Sequence, residues 1–267
     1  MHIYDRDYPV AAGAYHQPEP NSSVADYRRE MSRVGISRAV VVQPTAYGTD
    51  NSCLLHALSG LKPNARGIAI VDRDISDSEL ARLAQGGVVG LRAFLMHGGL
   101  MSWDSVQALA PRVAAFGWHI DICFHSNQFV ERLELLLALP TEVVIEHFGF
   151  DIADPEGPSM NALLRLLDGG RAWVKLSSPY YVDERSDERG YRDVDEVARR
   201  LIQRAPERCV WGSNWPNAGF NALIPKPDPL RFLNRIDDWT SDPKAQRQIL
   251  VENPERLYGF APRPRLM

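Results

Sequence analysis

The chain has 267 residues, of which 45% are hydrophobic and 24% charged, and this balance is typical of a folded globular protein and excludes a disordered one. Lys and Arg number 30 against 34 Asp and Glu, and this net charge of −4 argues against a nucleic-acid-binding protein, which needs a basic face. No apolar run reaches the roughly 18 residues of a membrane span, so we expect no membrane protein.

The compartment can also be predicted from composition. The first residues show no basic segment followed by an apolar one, so no signal peptide is expected. Cys53, Cys123 and Cys209 form no spacing motif, and so few cysteines in a chain of this length are typical of reduced thiols. We therefore predict a cytoplasmic protein.

Eight short apolar runs predict β-strands, and several of them are continuous and β-branched, as expected for strands buried on both faces. In chain order the strands are His2–Tyr4, Ala39–Val42, Arg66–Val71, Val88–Phe94, Trp118–Cys123, Glu142–Glu146, Ala172–Leu176 and Cys209–Trp211. Amphipathic helical patterns separate them, and two further helices are expected at Leu230–Trp239 and Asp242–Val251.

The spacing of these strands indicates the fold class. Most strand starts recur at roughly the 30 residues that a βα unit requires. Eight such units predict an α/β fold, a single-domain (β/α)8 TIM barrel over residues 1–267. An open doubly wound sheet is the alternative, but no Gly-x-Gly-x-x-Gly follows a predicted strand.

Polar side chains recur at the carboxyl ends of the predicted strands, where barrels of this type carry their active sites. Those selected as site residues are His2, Gln43, Tyr47, Arg92, His125, His147, Lys175, Tyr180 and Asn214. Arg92 lies in an apolar strand, so it either pairs with an internal carboxylate or binds a substrate anion. Lys175 has the same two alternatives. A single histidine after a strand more often packs in the core than acts in catalysis.

Several motifs in register with these strands carry a resemblance to a known family. They are Gln43-Pro44-x-x-Tyr47-Gly48-x-Asp50-Asn51, Gly90-x-Arg92, Glu146-His147-Phe148-Gly149, Trp211-Gly212-Ser213-Asn214-Trp215-Pro216 and the closing Glu252-Asn253-Pro254-Glu255. Together they resemble the amidohydrolase superfamily, in the branch that contains 2-pyrone-4,6-dicarboxylate lactonases and galactarolactone isomerases.

The resemblance implies an enzyme that hydrolyses or isomerises a small carboxylated lactone or related sugar acid, with no metal and no other cofactor. His2 and His147 would polarise the carbonyl or shuttle protons, and Arg92 would clamp a carboxylate. Asn214 stands where the lactonases have an aspartate that activates water. The resemblance leaves Gln43, Tyr47, His125, Lys175 and Tyr180 as substrate-binding residues.

Three departures from the family pattern bear on these expectations. An amide cannot accept a proton as a carboxylate can, so Asn214 favours isomerisation, which is internal acyl transfer and needs no activated water, or a hydrolase that uses His147 as its base. Tyr181 stands where a second clamping arginine is expected. Met1 occupies the middle of the His-x-His pair, so either the first histidine is missing or the chain starts upstream.

Two other classes of function remain open at this stage. One is a metal-dependent hydrolase or decarboxylase, which requires His2, His125 and His147 to converge on an ion. The other is a non-catalytic ligand-binding barrel that has lost the acid at the last strand. The sequence does not determine the oligomeric state.

Overall fold

The computed structural model describes residues 1–14, 17–182, 192–218 and 226–262. Its sheet has seven parallel strands in sequential order, each hydrogen-bonded to the next along the chain. They are β1 Ala39–Val42, β2 Ala65–Ala69, β3 Val88–Phe94, β4 His119–Cys123, β5 Val143–Ile145, β6 Ala172–Leu176 and β7 Cys209–Trp211. The sheet curls into a half-barrel with helices between its strands, and this arrangement is that of a TIM-type barrel.

Helices follow most of the strands and pack their apolar faces on the sheet. They are α1 Val24–Val34, α2 Ser52–Leu61, α3 Asp77–Gln85, α4 Trp103–Ala114, α5 Phe129–Ala138, α6 Pro158–Asp168, α7 Arg192–Arg204, α8 Pro229–Asn234, α9 Ile236–Trp239, α10 Pro243–Arg247 and α11 Asn253–Tyr258. Local signals account for several boundaries: Ser23 and Asp26 form a capping box at the start of α1, and Gly35 ends it in the left-handed conformation.

The first predicted strand, His2–Tyr4, does not form a regular strand. It lies beside both edges of the sheet, because the amide of Val42 donates to the carbonyl of Met1 and the amide of His2 donates to the carbonyl of Trp215, each over 2.8 Å. The amino group of Met1 also donates to the carbonyl of Val40 over 3.1 Å, but two bonds on one side and one on the other are too few for a ladder. The prediction of a strand here was wrong, although the segment occupies the place that an eighth strand would take.

The strands divide the interior into an apolar and a charged layer. Val144 and Trp173 belong to the cluster of apolar side chains that also contains Tyr258 from α11. Side chains two positions apart share one face of a strand, so Glu146 and Lys175 follow them on the inner face. The interior is therefore apolar towards the amino ends of the strands and charged towards the carboxyl ends.

Two further findings concern the cysteines and the helices. The three cysteines are buried and carry free thiols. Within the described ranges, no helix has the length and apolar character needed to cross a membrane.

Candidate active site

A chain of ion pairs crosses the inside of the barrel near the carboxyl ends of β3 to β6. The Nζ of Lys175 donates to Asp121 Oδ2 over 2.6 Å and to Glu146 Oε1 over 3.2 Å. The guanidinium of Arg92 donates to Glu146 Oε2 through Nε at 3.3 Å and Nη2 at 3.1 Å. All four side chains are buried, so the charges of these cations and anions compensate each other where water screens them little.

Both carboxylates of this ion-pair chain are ionised. Burial alone would raise the pKa of Glu146, but the charges of Arg92 and Lys175 hold it well below its usual range. Burial acts on Asp121 in the same way, and Lys175 holds its pKa low. Glu146 is therefore a fixed negative charge and not a proton acceptor. Of the two alternatives weighed for Arg92 and Lys175, internal pairing is the one present in the structure.

A cavity of about 310 Å³ runs between β1 and β7. Its lining at the carboxyl ends of the strands includes His2, Glu146, His147, Lys175, Ser177 and Asn214. At the other end it reaches Arg38 and Phe260. The structure thus brings together the predicted catalytic residues His2, His147 and Asn214, which come from three separate parts of the chain.

The imidazole of His147 is neutral. Its Nδ1 lies 2.8 Å from Ser177 Oγ, and its Nε2 lies 3.8 Å from Glu146 Oε2. Burial lowers the pKa of His147 to about 3; Lys175 and Arg92 act in the same direction, and Glu146 opposes them. An N–H at Nε2 is favoured by the nearby carboxylate, and Nδ1 then accepts from the hydroxyl of Ser177.

The protonation of His2 follows from its backbone partner. Its Nδ1 lies 2.8 Å from the carbonyl oxygen of Val42, which can only accept a hydrogen bond. Nδ1 therefore carries the proton and Nε2 carries a lone pair. Burial, with a further contribution from Arg92, lowers the pKa of His2 well below its usual value, so the ring is neutral.

Asn214 follows β7 with a left-handed backbone, at φ +49°. Asparagine tolerates this conformation better than most residues. His147 and Ser178, after β5 and β6, also have positive φ values of +56° and +54°. Strained backbone of this kind concentrates at functional sites, where it orients side chains that a relaxed turn would place elsewhere.

The side chains of Gln43 and Tyr47 both bond backbone groups. The Nε2 of Gln43 donates to the carbonyl oxygens of Gly48 and Asp50, at 3.2 and 2.8 Å. The hydroxyl of Tyr47 bonds both backbone groups of Asp5, at 2.9 and 3.0 Å. Neither side chain belongs to the described lining of the cavity, so the structure supplies no contact for their predicted role in substrate binding.

His125 and Tyr180 lie outside the described cavity lining as well. The Nδ1 of His125 lies 2.9 Å from Asp151 Oδ2, and both side chains are exposed. His125 does not converge with His2 and His147 on a shared ligand position in the described part of the chain. Tyr180 is buried instead against Asn214, which donates to its hydroxyl over 2.6 Å.

An aromatic wall replaces the second clamping arginine. The ring of Tyr181 lies 5.0 Å from that of His147 and 4.5 Å from that of Phe150, measured between centroids. Burial raises the pKa of Tyr181 well above its usual value, so this wall is uncharged. Neither Tyr181 nor Phe150 belongs to the described lining of the cavity, so the structure supplies no charge and no ligand contact at this position.

Sequence reasoning missed the two carboxylates of the ion-pair chain. Asp121 is directly paired with Arg92 in the register of β3 and β4, and Glu146 follows β5 on the inner face. An acid within an apolar strand, on the same face as a basic residue of a neighbouring strand, was the signal that would have identified them. Ser177, which orients His147, carried no such signal.

The described residues contain one group of three potential metal ligands. Donor atoms of Cys123, Glu146 and His147 all lie within 4.8 Å of one another. Burial raises the pKa of the Cys123 thiol well above its usual value, and the oxygens of Glu146 already accept from Arg92 and Lys175. A divalent cation would have to displace two buried cations, so this donor set does not fit a metal.

Comparisons with known proteins agree on one family. The family model described as Amidohydrolase matches residues 1–260. D-galactarolactone isomerase of Agrobacterium fabrum is 32% identical over 98% of this chain and 90% of its own length. The 2-pyrone-4,6-dicarboxylate hydrolase of Comamonas testosteroni is 32% identical over 94% of this chain and 85% of its own. An apo crystal structure of an Agrobacterium tumefaciens protein matches with a TM-score of 0.90 at 31% identity, over 98% of this chain and 95% of that one.

Proposed function

The chain belongs to the amidohydrolase family, and on that premise we propose that it is a metal-independent enzyme that transfers the acyl group of a small carboxylated lactone. The preferred acceptor is a hydroxyl of the substrate itself, so the reaction is interconversion of 1,4- and 1,5-lactones. Water is the alternative acceptor, which would make the enzyme a lactonase. The names of two relatives, a lactone isomerase and a pyrone dicarboxylate hydrolase, support this substrate class.

One observation carries the proposal: two neutral imidazoles and an amide share the cavity, and the segment after β7 presents Asn214 in place of a carboxylate. A general base for water is usually a carboxylate or a histidine held by one. Transfer of the acyl group between two oxygens of one substrate needs only a weaker base. Both oxygens have similar basicity, and the attacking group is already held in place.

The two histidines have different roles in the acyl transfer. His2, with its lone pair at Nε2, accepts the proton of the attacking hydroxyl and returns it to the ring oxygen that leaves the carbonyl carbon. His147 donates from Nε2 to the carbonyl oxygen, where negative charge develops. The proton count is balanced, because the oxygen that attacks loses one proton and the oxygen that leaves gains it.

The test is a proton NMR assay of metal-free enzyme with 1,4- and 1,5-lactones of aldaric acids and a pyrone dicarboxylate. We expect the isomeric lactone to appear before any open acid. Open acid as the first product would assign hydrolysis instead. Absence of turnover across the panel by a folded sample would overturn the proposal.

Metal independence has its own test. We expect the enzyme, purified without chelator, to contain under about a tenth of an equivalent of any transition metal and to keep its activity after dialysis against a chelator. One equivalent of a metal, with activity lost on its removal and regained on its return, would establish the metal-dependent alternative.

A further inference from the structure

We propose that the candidate site continues into an apolar compartment between β1 and β7, and that this compartment binds an apolar substituent of the lactone. The inference rests on the proposed function and narrows its substrate class. The lactone ring would bind beside His2 and His147, and an alkyl or aryl group of the same molecule would extend along the barrel wall.

The cavity of about 310 Å³ has two parts with different linings. The part at the carboxyl ends of the strands contains the polar groups of His2, His147 and Asn214. The other part, the apolar compartment, is lined mainly by Val40, Trp211, Leu233, Ile249, Val251 and Tyr258. Because both parts belong to one continuous cavity, a single molecule can occupy them together.

The two edges of the sheet border the apolar compartment. β1 and β7 are its end strands, and in the described ranges they do not pair with each other. Met1 and His2 bond to these edges towards the carboxyl ends. Along the first edge the lining continues from Val42 back to Arg38, roughly 13 Å at about 3.3 Å per residue. The apolar compartment is therefore long enough for a chain of several carbon atoms.

The chemistry of the lining selects the occupant. A polar group that leaves water costs free energy unless it finds a hydrogen-bond partner, and a buried water molecule needs about two to four of them. The six lining side chains offer an indole N–H at Trp211 and a hydroxyl at Tyr258 and are otherwise apolar. An alkyl or aryl group needs no such partner and gains by leaving water.

The one charged side chain at the outer end does not change this selection. Arg38 lines the cavity there, and its Nη1 and Nη2 each donate to Glu255 Oε1 over 2.9 Å. Its charge is compensated within the protein, so a second acid group of a ligand gains little from it. We therefore expect the acid groups and hydroxyls of the substrate in the polar part of the cavity and an uncharged, apolar group in the apolar compartment.

The deciding experiment measures, by isothermal titration calorimetry, the dissociation constants of two lactone carboxylic acids that differ only in a ring substituent, methyl or n-hexyl. Each CH2 group moved from water to an apolar lining tightens binding by up to about fourfold. The wild-type protein should bind the hexyl ligand at least about tenfold more tightly, with a more negative heat-capacity change. Equal binding of the two ligands would overturn the inference.

Val40→Phe tests the location of the substituent, because the larger side chain fills the apolar compartment. The preference for the hexyl ligand should then fall towards one. Val89→Phe is the matched control: Val89 is also partly buried against the apolar cluster of Trp173, but it does not line the cavity. The control should keep the preference, and an equal loss in both variants would contradict the assigned location.

Leu250→Trp is a second variant for the case that Val40→Phe does not fold. Leu250 lines the cavity and is 39% exposed, so a larger side chain is tolerated there and narrows the apolar compartment from outside. It must lower the preference for the hexyl ligand as well. An unchanged preference would overturn the inference.

The outcomes separate this inference from the proposed function. If the wild-type enzyme turns over lactones of aldaric acids but binds the methyl and hexyl ligands equally, the function stands and the inference is overturned. If the hexyl ligand binds more tightly and Val40→Phe abolishes its advantage, but no lactone is turned over, the apolar compartment stands as a binding site and the acyl-transfer proposal fails.

Discussion

Asn214 differs from an aspartate in having an NH2 group in place of one oxygen, and this group donates a hydrogen bond to Tyr180. In Asn214→Asp, the hydroxyl of Tyr180 would face two acceptors, Asp at position 214 and Asn217, and can donate to only one. A buried acceptor left unpaired costs about 1–3 kcal/mol, so we expect a loss of that size in the free energy of unfolding, measured with urea. Isomerisation should fall at least about tenfold, because a carboxylate at this position cannot donate to the hydroxyl of Tyr180 as Asn214 does.

A second substitution tests the cause of that loss. Adding Asn217→Leu to Asn214→Asp removes one acceptor, the Oδ1 of Asn217 that lies 3.3 Å from the hydroxyl of Tyr180, so that hydroxyl can turn its hydrogen to the new carboxylate. The double variant should therefore regain part of the lost stability, which a double-mutant cycle would measure as a coupling energy. Additive losses would show that the hydroxyl of Tyr180 does not donate to Asn217.

The neutral state of His147 has a kinetic consequence. Because the pKa of His147 is lowered to about 3, its ring does not titrate near pH 6.5 in the folded enzyme. We expect kcat/KM to stay level from pH 8 down to about pH 5, for as long as the protein remains folded. An acidic limb near pH 6.5 that vanishes in His147→Gln would contradict this assignment.

The candidate site could be predicted in part at the scale of single residues. His2, His147 and Asn214 were identified by their places at strand ends, and the cavity brings them together. Gln43 and Tyr47 satisfied the same criterion, but both side chains bond backbone groups, Gln43 in its own loop and Tyr47 at Asp5. The path of a loop depends on hydrogen bonds that a linear sequence does not display.

At the scale of elements, the ion-pair chain couples β3, β4, β5 and β6. Lys175→Met would leave Asp121 and Glu146 as buried carboxylates with one cation between them. Breaking a buried pair on one side typically costs about 3–5 kcal/mol, and we expect that loss in urea unfolding. Lys226→Met is the control, because the 46% exposed side chain of Lys226 pairs with Glu19 at the surface and should contribute under about 1 kcal/mol.

Removing the partner charge should restore part of this loss. In Lys175→Met with Asp121→Asn, one anion and one cation remain, Glu146 and Arg92, and they already bond each other. The double variant should be more stable than Lys175→Met alone. A single variant that loses less than about 1 kcal/mol would show that the ion-pair chain does not hold these strands together.

The regular elements were easier to predict than the irregular ones. The seven strands of the sheet all coincide with predicted apolar runs, because burial on both faces leaves a strong pattern. The expected helix Leu230–Trp239 is two helices, α8 and α9. Trp239 and Arg235 both donate to Asp195 on α7, and this tertiary contact outweighs helical periodicity.

At the scale of the whole molecule, the barrel separates its stabilising layer from its reactive one. Apolar side chains around Trp173 and Tyr258 fill the amino end, so the carboxyl end can hold buried charges and two neutral histidines. Each of these polar groups costs stability unless it is paired. The stability of the entire fold should therefore depend on the protonation state of these groups.

The pH dependence of stability follows from the direction of these pKa shifts. His2 and His147 have folded pKa values below the roughly 6.5 of an unfolded histidine, so unfolding takes up protons below that pH. Asp121 and Glu146 have folded pKa values below those of free carboxylates near 4, so they also take up protons on unfolding in acid. All four groups make the fold less stable as the pH falls.

We therefore expect the urea midpoint to decline below about pH 6.5 and to fall more steeply below about pH 4.5. The histidines act in the upper part of this range and the carboxylates in the lower. His147→Gln should reduce the decline between about pH 6.5 and 4.5 to the contribution of His2 and leave the steeper part unchanged, since glutamine does not titrate. A midpoint that rises on acidification from pH 7 to 5 would mean that the buried histidines are charged in the folded protein, and the acyl-transfer mechanism would then lose its base.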